Sequence, residues 1–356
     1  MIYANERNKD NNYSVFFKDE GYNKLNKHIQ SENYSTIFIH VDNNTNILCL
    51  KVFLKQISII DYKIIVSKSG EGNKNINSSF FLWEKLSNNN ADRNSLIINL
   101  GGGVVGDMGG FVASTFKRGI SYINIPTTLL SMVDASIGGK TGIDLGFLKN
   151  QIGTFYDPKM VIIDPLYLNT LDESEIISGY AEIFKHSIIY DLNFFNKLIS
   201  QENSIDFKSL EIIQNSIKIK NNIVLKDRKE SKERKALNFG HTLGHAIESL
   251  FLEKNKNLLH GEAIGIGIVL AAFISNKIFD FPIEKLKKIK NHILKIFNRI
   301  DFNESDIDNI IKLLVYDKKN SHGKVNFILI KDIGKVIYDV EVDNSLILES
   351  FKYYSS

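Results

Sequence analysis

Three histidines and one glutamate carry the strongest chemical signal in the chain. HTLGH places His241 and His245 four residues apart, on one face of a helix, and His260 opens the next helical stretch in HGEAIG. Glu182 lies earlier, in GYAEIFKHS, with Lys185 and His186 three and four residues further along the same face. One glutamate and two histidines from separate helices would make a three-ligand set for a divalent metal, leaving a position open for substrate. Spacing alone leaves the chelating pair open. It is either His241 with His245, as in other i, i+4 sites, or a histidine of that pair with His260 and Glu182. Cys49 is the only cysteine, so neither an internal disulfide nor a cysteine-rich zinc site is possible. His28, His40, His292 and His322 have no such company and read as structural.

Two glycine loops add a second kind of chemistry. LIINL runs into GGGVVGDMGGF, so Gly101, Gly103 and Gly106 satisfy G-x-G-x-x-G between a strand and a helix. Small residues there let the backbone approach a pyrophosphate, whose charge the following helix N-terminus stabilises. The next strand, YINI, ends in Pro126, Thr127 and Thr128 without a carboxylate for a ribose. Asp42, in HVDNN at the end of the first strand, is the acidic group left for that role. SGEGNK, from Ser69 to Lys74, is a further polar loop at a strand end. The second glycine loop, MVDASIGGKTGID, sets Lys140 beside Gly138 and Gly139, and LKNQIG adds Lys149 and Asn150. Cations beside flexible backbone suit a phosphate or carboxylate. The P-loop spacing is absent.

The elements that must position these groups follow from the pattern of apolar residues. Residues Thr36–Val41, Tyr62–Val66, Leu96–Leu100, Tyr122–Ile125 and Met160–Asp164 read as buried strands, with intervals long enough for crossover helices. That predicts an α/β fold, a doubly wound parallel sheet over residues 1–168. Beyond Pro165 the period becomes helical, with helices expected over Ser174–Tyr190, Phe207–Leu225, Lys235–Leu252, Glu262–Lys277 and Glu284–Phe297. KVNFILI and KVIYDV suggest a hairpin around Asp332 and Gly334. Residues 169–356 are therefore expected to form a mainly α-helical second domain. The charged run KDRKESKERK reads as a solvated interhelical loop.

Composition limits the classes of function. The 356 residues suffice for about two domains. Hydrophobic content of 43% with 24% charged residues is that of a globular chain, which argues against a disordered one. Lys+Arg 44 against Asp+Glu 41 leaves +3, too little for a dedicated nucleic-acid binder. No apolar run opens the chain, and Ala263–Ile274 falls short of a membrane span, so the expectation is a cytoplasmic protein without membrane association.

Taken together, GGGVVGD, PTTLLSMVDASIGGKTGID, LKNQIGTFYDP, GYAEIFKHSIIYD, ERKALNFGHTLGHAIE and HGEA resemble 3-dehydroquinate synthase in order and approximate spacing, over roughly Asp42 to Lys324. The resemblance implies conversion of 3-deoxy-D-arabino-heptulosonate 7-phosphate to 3-dehydroquinate and phosphate, a shikimate-pathway step toward aromatic amino acids. It implies a lyase using NAD, reduced and reoxidised within one turnover, and one Zn²⁺ or Co²⁺. Oxidation at C5, phosphate elimination, re-reduction, ring opening and intramolecular aldol closure would follow in turn. Carried over residue by residue, the metal ligands are Glu182, His241 and His260, which leaves His245 near the phosphate. NAD contacts fall on Asp42 and Asn44, on Ser69, Gly70, Glu71, Gly72, Asn73 and Lys74, and on Gly103, Val104, Val105, Gly106 and Asp107. They continue on Thr127 and Thr128, on Lys140 and Lys149, and on Tyr167, Leu168, Asn169 and Thr170. Substrate contacts fall on Asp134, Lys140, Asn150, Lys185, Lys220, Arg234, Asn238 and His245, with Lys318 or Lys319 also serving the phosphate. A homodimer is implied, in which Arg118 of FKRG reaches the neighbouring subunit's site. The competing readings are another sugar-phosphate cyclase, whose substrate lacks the C1 carboxylate, and a metal-dependent polyol dehydrogenase, which would release NADH.

Overall fold

The computed structural model describes residues 13–58, 61–146, 148–201, 204–254, 256, 258–314 and 325–356. Lys318, Lys319 and His322 lie outside them. The chain divides into two compact units, one ending at Asp172 and the other beginning at Glu173.

In the first unit the strands are β1 (Ser14–Phe17), β2 (Ile37–Asp42), β3 (Lys63–Ser67), β4 (Leu96–Gly101), β5 (Ser121–Pro126), β6 (Lys140–Leu145), β7 (Leu148–Phe155) and β8 (Met160–Ile163). Its helices are α1 (Lys18–Glu32), α2 (Asn43–Leu48), α3 (Leu50–Leu54), α4 (Ile76–Asn88) and α5 (Gly103–Thr115). Six strands form one sheet in the order β1-β8-β5-β4-β2-β3, and every pairing in it is parallel. The expected strands are all present. The four residues of β4 from Leu96 to Asn99, like those of β8, are buried on both faces, as parallel strands under crossover helices must be. Phe38, Ile97, Met108, Val112 and Tyr122 share one core between sheet and helices. From β2 the chain runs outward to β3, then returns to β4 on β2's other side. The topological switch therefore lies between β2 and β4, where ligands of open α/β sheets bind beyond the strands' carboxyl ends. Asp42 and the first glycine loop both sit at those ends.

Two elements differ from expectation. β1 pairs with β8 and extends the sheet by one edge strand. The second glycine loop opens into an antiparallel hairpin, β6–β7, which carries Lys140, Lys149 and Asn150 on strands.

The second unit contains α6 (Glu173–Tyr190), α7 (Leu192–Ser200), α8 (Leu210–Lys226), α9 (His241–Glu253), α10 (His260–Phe279), α11 (Ile283–Ile296), α12 (Glu304–Leu313) and α13 (Asn344–Ser355). The hairpin β9 (Asn326–Asp332) and β10 (Lys335–Glu341) is the one expected. α10 packs against α6, α9, α11, α13 and β9. It has the length and hydropathy of a membrane span, but 72% of its most apolar window is buried, which is the pattern of a core helix. One expected helix is broken: Lys235–Leu252 splits into a 3₁₀ turn, Glu233–Asn238, and α9. Gly240 between them has φ +79°, which a residue with a Cβ rarely adopts.

Candidate active site

Glycine contacts bring the metal-type residues together. Gly261, one residue into α10, lies where a Cβ would stand 2.0 Å from the Ser178 carbonyl oxygen of α6, and its N–H donates to Ser178 Oγ at 2.9 Å. Gly267 meets the Gly240 carbonyl equally closely, so α9 is seated against α10. His241 and His260, each at the first turn of its helix, are thereby aimed at Glu182 in the middle of α6.

The result is a compact trio. Glu182 is fully buried, and its Oε1 makes no hydrogen bond. Nε2 of His241 and Nε2 of His260 stand 3.4 and 3.5 Å from that oxygen. Ligands bound at 2.0–2.1 Å around a tetrahedral zinc lie about 3.4 Å from one another, so these separations fit a shared ion. The other nitrogen of each ring is occupied. His241 Nδ1 donates to the Phe239 carbonyl at 3.3 Å, and His260 Nδ1 faces Glu248 Oε2 at 3.4 Å. Such contacts fix ring orientation and leave Nε2 for a metal. Lys185, buried one turn along α6, pairs with Glu182 Oε2 and turns Oε1 toward the histidines. Burial alone would raise the Glu182 pKa, but Lys185 and the imidazoles hold it well below the usual carboxylate range. His245 stands next to both rings, 5.0 Å from His241 and 6.0 Å from His260 between centroids. It forms a second possible ligand group with Glu248 and His260. The i, i+4 pair is thus adjacent in space, but the two nitrogens converging on Glu182 come from His241 and His260.

A pH dependence follows. Burial disfavours a charge on His260, but the Glu182 and Glu248 carboxylates outweigh it and raise its pKa to about 9. The metal-free ring is therefore protonated at neutral pH, and a metal must displace the Nε2 proton. Metal binding at pH 7.5 is expected to release about one proton per site, with affinity rising as pH increases toward 9. Calorimetry in buffers of different ionisation enthalpy measures that proton; its absence would remove His260 from the ligand set.

The second unit also holds cationic groups suited to a carboxylate or phosphate. Lys220 on α8 and Arg234 on the 3₁₀ turn are both buried. Within KDRKESKERK, Lys226, Lys229, Lys232 and Glu233 are exposed as expected, whereas Asp227 and Arg234 are not. Asp227 organises this loop. Its carboxylate accepts from the N–H groups of Ser231 (3.0 Å), Lys232 (2.6 Å) and Arg234 (3.1 Å). Burial would raise the Asp227 pKa, but those N–H groups lower it. Arg234 Nη1 donates to the Arg228 carbonyl at 2.6 Å, and Asn238 Nδ2 donates to Glu230 at 2.6 Å.

In the first unit α5 begins after Gly102 with no side-chain cap. Its first N–H groups therefore remain available to an anion. A recess in front of it is lined by Gly101, Gly102, Gly103, Gly106, Asp107 and Asn124, among others. Val105 is buried, and a Cβ on Gly101 would stand 2.5 Å from its side chain. Gly109 packs against β4, where a Cβ would stand 1.9 Å from Asn99 Oδ1, whereas a Cβ on Gly106 would meet Asn124 Nδ2 at an ordinary 3.8 Å. The polar loop after β3 is closed by Asn73 Nδ2 donating to the Ser69 carbonyl at 2.7 Å, with Gly70 at φ +94° and open space around Gly70 and Gly72. Lys74 is buried and bridges Asp107 (2.7 Å) to Asn150 Oδ1 (2.6 Å), and Lys149 reaches Glu71 at 3.9 Å. Asp144 accepts the Asn150 N–H at 2.6 Å.

The remaining positions are placed as follows. Asp42 caps α2, its Oδ1 accepting from the Thr45 N–H at 2.8 Å, and Asn44 is exposed on that helix. Thr127 N–H donates to the Gly101 carbonyl at 3.0 Å, and Thr128 Oγ1 donates to Ser131 at 2.9 Å. Asp134 lies on a π-helical turn, Ser131–Ala135. Tyr167 and Leu168 are buried, with Tyr167 against Tyr22, so Asn169 and Thr170 present the side chains of that turn. Arg118 is exposed. Glu248, Asp227 and Asp144 were missed in the sequence; only Glu248, three residues beyond His245, carried a positional hint.

The chain matches the 3-dehydroquinate synthase N-terminal model over residues 64–178 and the C-terminal model over 179–320. It is 42% identical to the 3-dehydroquinate synthase of Parabacteroides distasonis, covering 93% of this chain and 94% of that one. Identity to the 3-dehydroquinate synthase of Dictyoglomus thermophilum is 40%, with 97% and 96% covered. Its fold resembles that of 2-deoxy-scyllo-inosose synthase, solved with carbaglucose-6-phosphate, NAD⁺ and Co²⁺ (TM-score 0.82, 26% identity, 96% of each chain). It also resembles 2-epi-5-epi-valiolone synthase from Streptomyces hygroscopicus, solved with NAD⁺ and Zn²⁺ (TM-score 0.84, 22% identity, 99% of each chain). Two matched models and near full-length identity of this degree place the chain in the 3-dehydroquinate synthase family.

Proposed function

We propose that this protein converts 3-deoxy-D-arabino-heptulosonate 7-phosphate to 3-dehydroquinate and phosphate, using NAD and one Zn²⁺ or Co²⁺. The observation that carries the reading is the buried Glu182 oxygen faced by two oriented imidazole nitrogens. When bound, the metal supplies Lewis acidity at a substrate hydroxyl and NAD exchanges two electrons with the same carbon. Glu182, His241 and His260 would hold the metal, and Lys185 and Glu248 orient those ligands. Residues 1–168 would hold NAD at the open end of α5 and the Ser69–Lys74 loop, with Lys74 setting Asp107 and Asn150. Residues 169–356 would supply the metal site and most of the substrate contacts. Lys220, Arg234 and Asn238 suit a carboxylate, His245 suits the phosphate, and Lys185 suits the reacting end of the sugar. Asp134, Lys140 and Asn150 complete the proposed substrate set. The substrate's own phosphate takes the C6 proton, so the protein's task is to fix a dianion and a carboxylate in one pose. The proposed location is cytoplasmic.

Phosphate release from the heptulosonate phosphate, with NAD and Zn²⁺ added, tests the reading. Phosphate should appear without net NADH. NADH accumulating on a polyol would favour a dehydrogenase, and a preference for substrates lacking the C1 carboxylate would favour another cyclase.

A homodimer with Arg118 acting across it is part of the proposal. Lys117, Arg118 and Gly119 run consecutively at φ +48°, +69° and +114°, a costly conformation in which Arg118 remains exposed. If Arg118 serves the neighbour's site and Lys140 its own, Arg118→Ala and Lys140→Ala damage different sites when they pair. Random mixing makes about half the dimers mixed, leaving about a quarter of all sites intact. Co-refolding the two weak variants should recover that fraction of wild-type activity. A mixture no better than the mean of its parents, with heterodimers present, would place Arg118 in its own subunit's site or nowhere near it.

A further inference from the structure

His40, Asn99 and Asn124 stand directly opposite one another on neighbouring strands β2, β4 and β5. Residues in register point to the same face of a sheet, here the face covered by α5. All are buried polar groups beside the topological switch, and although Asn99 and Asn124 line the recess in front of α5, no role has been given to any of the three. They are joined by hydrogen bonds. Ser67 Oγ meets His40 Nε2 at 3.1 Å, His40 Nδ1 meets Asn99 Oδ1 at 3.1 Å, and Asn99 Nδ2 donates to Asn124 Oδ1 at 3.0 Å. Gly109 makes room for the middle amide, since any side chain there would collide with Asn99. Asn124 Nδ2 has no hydrogen-bond partner among the described residues, and Asn124 lines the recess in front of α5.

We propose that Ser67, His40, Asn99 and Asn124 form a directional relay that sets the Asn124 amide as a donor to a phosphate oxygen of the dinucleotide in this recess. The proposal rests on NAD being the cofactor. Its direction follows from which atoms can donate. Asn99 Oδ1 only accepts, so His40 must donate from Nδ1. Burial lowers the His40 pKa to about 4, so at neutral pH the ring carries one proton and Nε2 accepts from the Ser67 hydroxyl. The hydroxyl's alternative acceptor, the Val41 carbonyl, is more distant at 3.4 Å. Turning both amides over would reverse the chain, placing the ring proton on Nε2 and an amide oxygen toward the recess. An oxygen there would repel an anion at the uncapped N-terminus of α5, whereas an N–H adds to the donors that end already offers. The polar chain thus sets the sign of one recess atom from a serine three strands away, on the edge strand β3.

Two measurements test this. Nitrogen-15 shifts of the histidine rings in the NAD complex, with His40 assigned by loss of its signals in His40→Gln, should show an Nδ1–H ring. Titration with NAD should give a Kd about tenfold higher for Asn124→Ala, which loses one hydrogen bond to a charged oxygen. Asn124→Asp, which sets a carboxylate against the phosphates, should raise it about 100-fold. An Nε2–H ring in the complex, or Asn124 variants binding within twofold of wild type, would overturn the relay. Failure of the wild type itself to bind NAD would instead overturn the cofactor reading, and the relay's ligand with it.

Discussion

Glu182→Gln is expected to abolish metal retention and lower turnover by at least on the order of 10², because it acts on the one oxygen that faces both imidazoles. A neutral amide is a poor ligand, and its NH₂ group, if turned toward Lys185, repels the ammonium. Lys185 and Glu182 are buried, so removing one charge leaves the other unpaired at a cost of about 3 kcal/mol or more. Two effects are therefore superimposed, loss of metal and loss of stability. The double variant Glu182→Gln with Lys185→Met separates them. It should recover much of the folding stability, measured by denaturant midpoint, without recovering the metal. Chelation of the wild type should reproduce the loss of turnover, and Zn²⁺ or Co²⁺ should restore it there but not in Glu182→Gln. Full activity in a demonstrably metal-free preparation would end the metal assignment.

The types of these candidate ligands were legible from spacing; the choice among the histidines came from the family resemblance and not from spacing. His241 and His245 share a helical face by spacing alone, but which nitrogen meets Glu182 depends on how α10 approaches α6 and α9. That approach is set by Gly261 and Gly267, whose close contacts involve backbone atoms far along the chain. The same division runs through the fold. Strands such as LIINL announced themselves by β-branched residues buried on both faces. β6–β7 did not, because KTGIDL and LKNQIGTF mix glycine with charges and read as a loop until they pair. The break before α9 was hidden because a lone glycine is tolerated in a helical pattern, and only its left-handed backbone shows that it ends one. Asp227 looked like any other charge in its run. Its role comes from accepting backbone N–H groups four to seven residues ahead, a turn whose geometry no period in the sequence reveals.

Arg234→Ala is expected to lower kcat/KM by about 10² or more with the natural substrate, while an analogue lacking the C1 carboxylate should hardly notice the change. The reasoning starts from burial. Arg234 is 2% exposed, held by Asp227 through its own N–H and by the Arg228 carbonyl through Nη1. A guanidinium already taken out of water and oriented gives a carboxylate a stronger partner than an exposed one, because neither has to be reorganised as they meet. Truncation would leave the substrate carboxylate desolvated without its charge partner. An analogue without that carboxylate incurs no such penalty, so comparing the two substrates separates recognition from damage to the fold. Asp227→Asn should act in the same direction but more weakly, about tenfold, since one oxygen of its carboxylate becomes a donor facing backbone N–H groups. Its loss should again be confined to the carboxylate-bearing substrate. Equal losses on both substrates, in either variant, would make Arg234 a structural residue of the loop and leave the substrate carboxylate to Lys220 and Asn238.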